Sequence, residues 1–106
     1  MTQTLIKIAK TARAGEVIEV ATTIAHPMES GYKPAADGKL IPRNILRSFT
    51  CQYDGATVFE AQFFPAISSN PFVSFHLRAT RSGPVLLTWR GDLGFSHSET
   101  VQLQVS

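Results

Sequence analysis

The side chains here that invite redox or metal chemistry are few: one cysteine, three histidines and two methionines in 106 residues. A thiolate, two imidazoles and an axial thioether make a blue-copper centre, so Cys51, His26, His76, His97 and a methionine are a complete donor set on paper. Such centres draw Cys, His and Met from one short loop. Cys51 is instead followed by Gln52-Tyr53-Asp54-Gly55, and no two histidines have the spacing of a local chelate. Surface or strand-end histidines are the simpler reading. Cys51 sits in mid-strand beside Phe49, with no histidine, lysine or helix start near it in sequence to lower its pKa. It reads as a small core residue. An immunoglobulin-like copper or redox domain using Cys51 and the histidines stands as the alternative. Glu19, Glu29, Glu60 and Glu99 are dispersed, and neither a Gly-x-Ser-x-Gly elbow nor a glycine-rich phosphate loop occurs. Catalysis, a cofactor and a resident metal are therefore not expected of this chain.

The elements that must position these groups are strands. Phe49 to Phe63 is two alternating runs hinged at Asp54-Gly55, the signature of a hairpin. A two-residue loop at Asp54-Gly55 would pair Tyr53 with Ala56 and Cys51 with Val58 and put Phe59, Ala61 and Phe63 on the opposite face from Phe49 and Cys51. A three-residue loop, Tyr53-Asp54-Gly55, with Gly55 left-handed in a bulge, pairs Cys51 with Thr57 and Phe49 with Phe59 and unites the apolar rows, so that register is expected. Leu5 to Lys10 is a short first strand with Ile6 and Ile8 on one face. Glu16 to Ala25 is the longest alternation and predicts a central strand with both faces covered. Phe72 to Ala79, Val85 to Arg90 and Phe95 to Val105 complete the set, with Pro65 and Pro71 bracketing a crossover that is not a strand. No stretch sustains a period of 3.6 residues. The pattern predicts an all-β, immunoglobulin-like antiparallel sandwich of about seven strands forming one domain over residues 1–106.

Charged residues are 17% of the chain, against about a quarter in ordinary soluble domains, which implies that a partner covers some of the surface. The net charge of +2 is spread without a basic stripe, so nucleic acid is not expected. One cysteine allows no internal disulfide. The first residues, Met1 to Ile8, form no apolar run long enough for a signal peptide or a membrane span, and no membrane association is expected. Residues 26–42, with turn signals at Gly31, Pro34 and Asp37-Gly38, read as a long loop or finger, a kind of segment that is usually functional or mobile. Apolar or aromatic side chains at outward positions single out Met28 and Tyr32 in that loop, Val58 and Leu86 among polar neighbours, and Phe72 beside His76. As a set these six residues suggest a protein interface.

A residue-level resemblance runs along the same chain. His26-Pro27-Met28-Glu29-Ser30-Gly31, Asp37-Gly38-Lys39, Ile41-Pro42-Arg43 and Phe49-Thr50-Cys51 occur in that order. Pro65-Ala66-Ile67-Ser68-Ser69-Asn70-Pro71-Phe72, Ser74-Phe75, Arg78, Ser82-Gly83 and Thr88-Trp89 follow. This order resembles the SoxZ family, the Z subunits of the SoxYZ sulfur-carrier complex of bacterial thiosulfate oxidation, over nearly the whole length. The resemblance implies an immunoglobulin-type sandwich that forms a heterodimer with a SoxY-like chain. In such pairs the sulfur is carried by a cysteine of the partner, on a mobile Gly-Gly-Cys-Gly-Gly arm; this sequence closes with Val101-Gln102-Leu103-Gln104-Val105-Ser106. It further implies a non-catalytic role, transient docking to Sox enzymes and a periplasmic location reached by co-export with a signal-bearing partner. Within the family, a related oxidation pathway is the alternative to thiosulfate. The finger from His26 to Pro42 is expected to touch the partner or visiting enzymes.

Overall fold

The computed structural model describes residues 3–26, 28, 31, 34, 36–40, 43–63 and 70–106. The strands are β1 (Thr4–Lys7), β2 (Thr11–Ala12), β3 (Val17–Ile24), β4 (Leu46–Tyr53), β5 (Ala56–Gln62), β6 (Phe72–Arg78), β7 (Gly83–Gly91) and β8 (Ser96–Val105). They form a three-stranded sheet in the order β1-β3-β6 and a five-stranded sheet in the order β2-β8-β7-β4-β5. This is the all-β sandwich that the alternation predicts. The strand beyond the expected seven is β2, whose Thr11 and Ala12 run parallel to Gln104 and Val105 of β8, so one pair departs from the antiparallel rule.

The two sheets meet through the residues whose period of two placed them inward. Val20 and Ile24 of β3 and Val73, Phe75 and Leu77 of β6 face Phe49 and Cys51 of β4, Val85, Leu87 and Trp89 of β7 and Leu103 of β8. Phe49 lies at the centre, 5.2 Å from Trp89 and 5.9 Å from Phe75 between ring centroids. Phe59 stacks on Phe75 at 4.4 Å with the rings nearly parallel, which joins the edge strand of one sheet to the edge strand of the other. Burying each of these large side chains contributes about 1.5–3 kcal/mol, so the aromatic cluster is the main tie between the layers.

The hairpin register differs from the expected one. Tyr53 pairs with Ala56, Gln52 with Thr57, Cys51 with Phe59 and Phe49 with Ala61, and the extra residue is Val58 rather than Gly55. Asp54 and Gly55 both have positive φ, 50° and 87°, which is the two-residue turn whose twist matches that of the strands. The bulge at Val58 then rephases the strand, and Phe49, Cys51, Phe59, Ala61 and Phe63 share the inner side as the apolar pattern requires.

A second difference concerns β3. It is the middle strand of its sheet, yet only Ile18, Val20, Thr22 and Ile24 are covered. Its other face, with Val17, Glu19, Ala21 and Thr23, looks outward, and Val17 is 49% exposed. The physical reason is the layer count: a two-layer sandwich covers each sheet once. Tyr53 closes one end of the core. Its hydroxyl donates to the Arg81 carbonyl and accepts from the N–H groups of Thr80 (3.1 Å) and Arg81 (2.9 Å). That fixes the β6–β7 turn to the end of β4.

Candidate partner interface

Cys51 lies between Phe59 of β5 and Leu87 of β7 and is fully buried. Burial pushes its thiol up to about 11. At neutral pH the thiolate fraction is then on the order of 10⁻⁴, which removes the nucleophile that sulfur exchange requires.

The three histidines go to three places. His26, just after β3, is 4% exposed and sits edge-on to Phe95 at 5.1 Å. Its backbone is held by Asn70, whose Oδ1 accepts the His26 N–H (3.1 Å) and whose own N–H donates to the His26 carbonyl (3.0 Å). The Met28 N–H donates to Nδ1 of the ring (3.1 Å), so the neutral ring carries its proton on Nε2. Desolvation lowers the His26 pKa, against the opposing pull of the Asp92 charge. His76 is exposed on β6, opposite Glu19. His97 on β8 lies opposite Trp89, with Nε2 3.1 Å from the Glu99 carboxylate. Among the described residues no three His, Cys, Asp or Glu side chains gather where an ion would sit. The Cys–His copper arrangement therefore has no geometry in this part of the chain to support it.

Near His26 a second polar cluster closes the same end. Asp92, in the turn after β7, accepts from Arg43 Nε (2.8 Å) and Nη2 (3.2 Å), from Arg47 Nη1 (3.5 Å) and from the Ile45 N–H (3.3 Å). Partial desolvation would raise the Asp92 carboxyl, but the Ile45 N–H and the Arg43 guanidinium hold it below its ordinary value. The segment that enters β4 is thereby fastened to the β7–β8 turn. Within the finger, Pro34 and Leu40 form an isolated antiparallel bridge, and Asp37 Oδ1 accepts the Lys39 N–H (3.0 Å) across Gly38.

The six residues singled out for an interface fall in different places. Phe72, 64% exposed, and His76 share the outer face of the three-stranded sheet. Leu86 is half-buried on the outer face of the five-stranded sheet, paired with Gln52 and Thr100, while Val58 is the exposed bulge residue of β5 on that sheet's edge. Met28 is buried, and its Sδ accepts the Leu46 N–H at 3.2 Å. Tyr32 lies outside the described residues, as do Pro65 and the crossover at 64–69. Two residues the sequence reasoning passed over, Leu5 (63% exposed) and Val17, join Phe72 and His76 on the three-stranded face. Their signal was phase: Leu5 alternates against Ile6 and Ile8, and Val17 against Ile18 and Val20.

These features define a small two-sheet β-sandwich with its one cysteine sealed in the core and one sheet face bare and partly apolar. The family described as "Sulphur oxidation protein SoxZ" matches residues 6–102, and the chain belongs to it. Among solved structures, the SoxY sulfur carrier protein from Chlorobium limicola f thiosulfatophilum superposes with a TM-score of 0.68 at 14% identity, covering 97% of this chain and 78% of that one. A superoxide reductase (neelaredoxin) from Ignicoccus hospitalis gives a TM-score of 0.72 at 15% identity, covering 99% and 82%. At such identities the likeness is one of fold. No curated protein matches the sequence.

Proposed function

We propose that this chain is the non-catalytic subunit of a SoxYZ-type sulfur-carrier heterodimer. It binds and stabilises a SoxY-like chain that carries covalent sulfur intermediates on its terminal cysteine, and helps present that cysteine to Sox enzymes in the periplasm, where the pair arrives by co-export on the partner's signal. The observation that carries the reading is the SoxZ match over residues 6–102. The burial of Cys51 supports it, because the one thiol in this sequence is closed to sulfur donors and is poorly placed to carry sulfur itself.

Native mass spectrometry of the chain purified from its host after growth on thiosulfate tests this directly. The expected spectrum shows the chain with a second subunit, thiosulfate-derived mass on that subunit's cysteine and none on Cys51. A chain that travels alone, or that carries sulfur or metal on Cys51, overturns the reading.

A further inference from the structure

Six large apolar side chains stand out as exposed among the described residues: Leu5, Val17, Leu40, Val58, Phe72 and Leu93. Three of them, Leu5, Val17 and Phe72, lie on the outer face of the three-stranded sheet. The register arranges that face in rows across the strands: Leu5-Thr23-Phe72, then Lys7-Ala21-Ser74, then Glu19-His76, then Val17-Arg78. Along the middle strand the floor is small, Ala21 and Thr23, while Leu5, Lys7 and Phe72 stand on either side. The result is a trough of about 310 Å³ lined by Leu5, Lys7, Glu19, Ala21, Thr23 and Phe72. It continues into a second hollow of about 240 Å³ that reaches Gln3, Ala25 and Asn70, beside His26. Among the described residues, no ion pair engages Lys7 or Glu19.

We infer that this trough is the seat of the SoxY-type subunit, an inference that rests on the pairing proposed above. The shape calls for a convex ridge of large apolar side chains over Ala21 and Thr23, with an acidic group meeting Lys7 and a basic one meeting Glu19. A strand face of a second sandwich supplies such a ridge, and the solved SoxY structure shares this fold over 97% of the chain. A second copy of this chain fits poorly. A two-fold axis along β3 mates Leu5 with Phe72 but sets trough against trough and Glu19 against Glu19, a like-charge contact that disfavours pairing. A two-fold axis across the strands at Ala21 sets Lys7 on Lys7, and shifting it to the Leu5-Thr23-Phe72 row leaves Val17 bare. The sheet face has a footprint of roughly 14 by 23 Å from strand spacing and rise, about 300 Å². One side of a stable interface buries about 800 Å². The contact therefore spreads beyond the sheet, and the second hollow gives the direction, toward the end of the sandwich where His26 begins the finger.

The test is calorimetric titration of the full chain with the SoxY-type subunit of the same organism, using wild type, Leu5→Asp, Phe72→Asp and, on the opposite sheet, Leu86→Gln. Thermal melts of each variant alone guard against misfolding, and Val17→Asp serves as a further face variant if either of the first two melts early. Leu5→Asp and Phe72→Asp are expected to raise Kd by about 30-fold or more, as loss of a central apolar anchor does, with Leu86→Gln unchanged. Well-folded face variants that bind like wild type overturn this inference and leave the SoxY pairing intact. Loss of binding confined to Leu86→Gln moves the interface to the five-stranded sheet and overturns it equally. Wild type that does not bind the SoxY-type subunit at all overturns the pairing itself, and a wild-type homodimer split by Phe72→Asp assigns the trough to a second copy instead.

Discussion

Replacing His26 by asparagine should flatten the pH dependence of stability. In the folded chain the ring is buried, its Nδ1 is occupied as an acceptor by the Met28 N–H, and desolvation lowers its pKa from the ordinary 6.5. The unfolded chain has no such constraint and takes up a proton near 6.5. Stability is thus fully present above that value and falls as pH drops below it, until the folded ring also titrates. One unit below 6.5 the unfolded ring is protonated about ten to one, so the loss between pH 7.5 and 5.5 is at most about 1.4 kcal/mol. For a domain of this size that is about 5–10 °C in Tm. Asparagine places an acceptor near the position of Nδ1 and does not titrate. It gives up the contact with Phe95, so the variant should be less stable than wild type at pH 7.5 by about 1–2 kcal/mol. Thermal unfolding of both proteins at pH 7.5 and 5.5 is the assay, and the other histidines and the carboxylates cancel in the difference. A parallel decline in the two proteins would refute the reasoning, because the buried ring would then contribute nothing to the proton balance.

Cys51 in the native chain should resist a thiol reagent such as a maleimide for hours and react stoichiometrically in guanidinium, read by intact mass; fast native labelling would contradict its burial. Tyr53→Phe removes the hydroxyl that serves Thr80 and Arg81 and leaves their N–H groups short of a partner, at a cost of about 2 kcal/mol in urea unfolding. An unchanged urea midpoint would show that water replaces the hydroxyl. Gly91→Ala places a methyl 2.6 Å from the Ile45 carbonyl oxygen and 3.2 Å from Leu46 Cα, both backbone atoms that cannot swing away. It should destabilise by about 1–3 kcal/mol, measured as a lowered Tm.

The inward rows of β6 and β7 were legible because Val73, Phe75 and Leu77 alternate with Ser74, His76 and Arg78, and because Val85, Leu87 and Trp89 alternate with Pro84, Thr88 and Arg90, with Leu86 the one apolar exception. In the hairpin the same rule yields the right faces and the wrong register. A bulge at Gly55 and a bulge at Val58 rephase the strand identically, so the apolar pattern cannot separate them; the deciding fact is that Asp54 accepts a positive φ. The open side of β3 was hidden because Ala21 and Thr23 suit a covered face as well as a bare one. Two residues, Thr11 and Ala12, are too few to show any period, which is why β2 went unseen. The burial of His26 depends on Asn70 and Phe95, which are remote in sequence and leave no local trace. On the outer face of the three-stranded sheet, the positions of Phe72 and His76 were legible from their outward phase on β6. Leu5 and Val17 carry the same signal, but on strands whose opposite face, with Ile6 and Ile8 or Ile18 and Val20, is the more apolar.

The Val58 bulge also bears on how these chains behave in crowded company. Among the described residues, strand β5 is the outer edge of the five-stranded sheet, hydrogen-bonded on one side to β4 and presenting on the other a row of backbone donors and acceptors. A flat edge of that kind is a template on which a neighbouring chain can add a strand, and then another, toward fibrous aggregates. One inserted residue breaks the spacing of the template and sharpens its twist, and the exposed Glu60 adds a charge that an incoming strand would have to accommodate. The irregularity that brings Phe59 round to the core thus also blunts this edge as a template, so removing Val58 is expected to favour strand addition as well as misplace a ring.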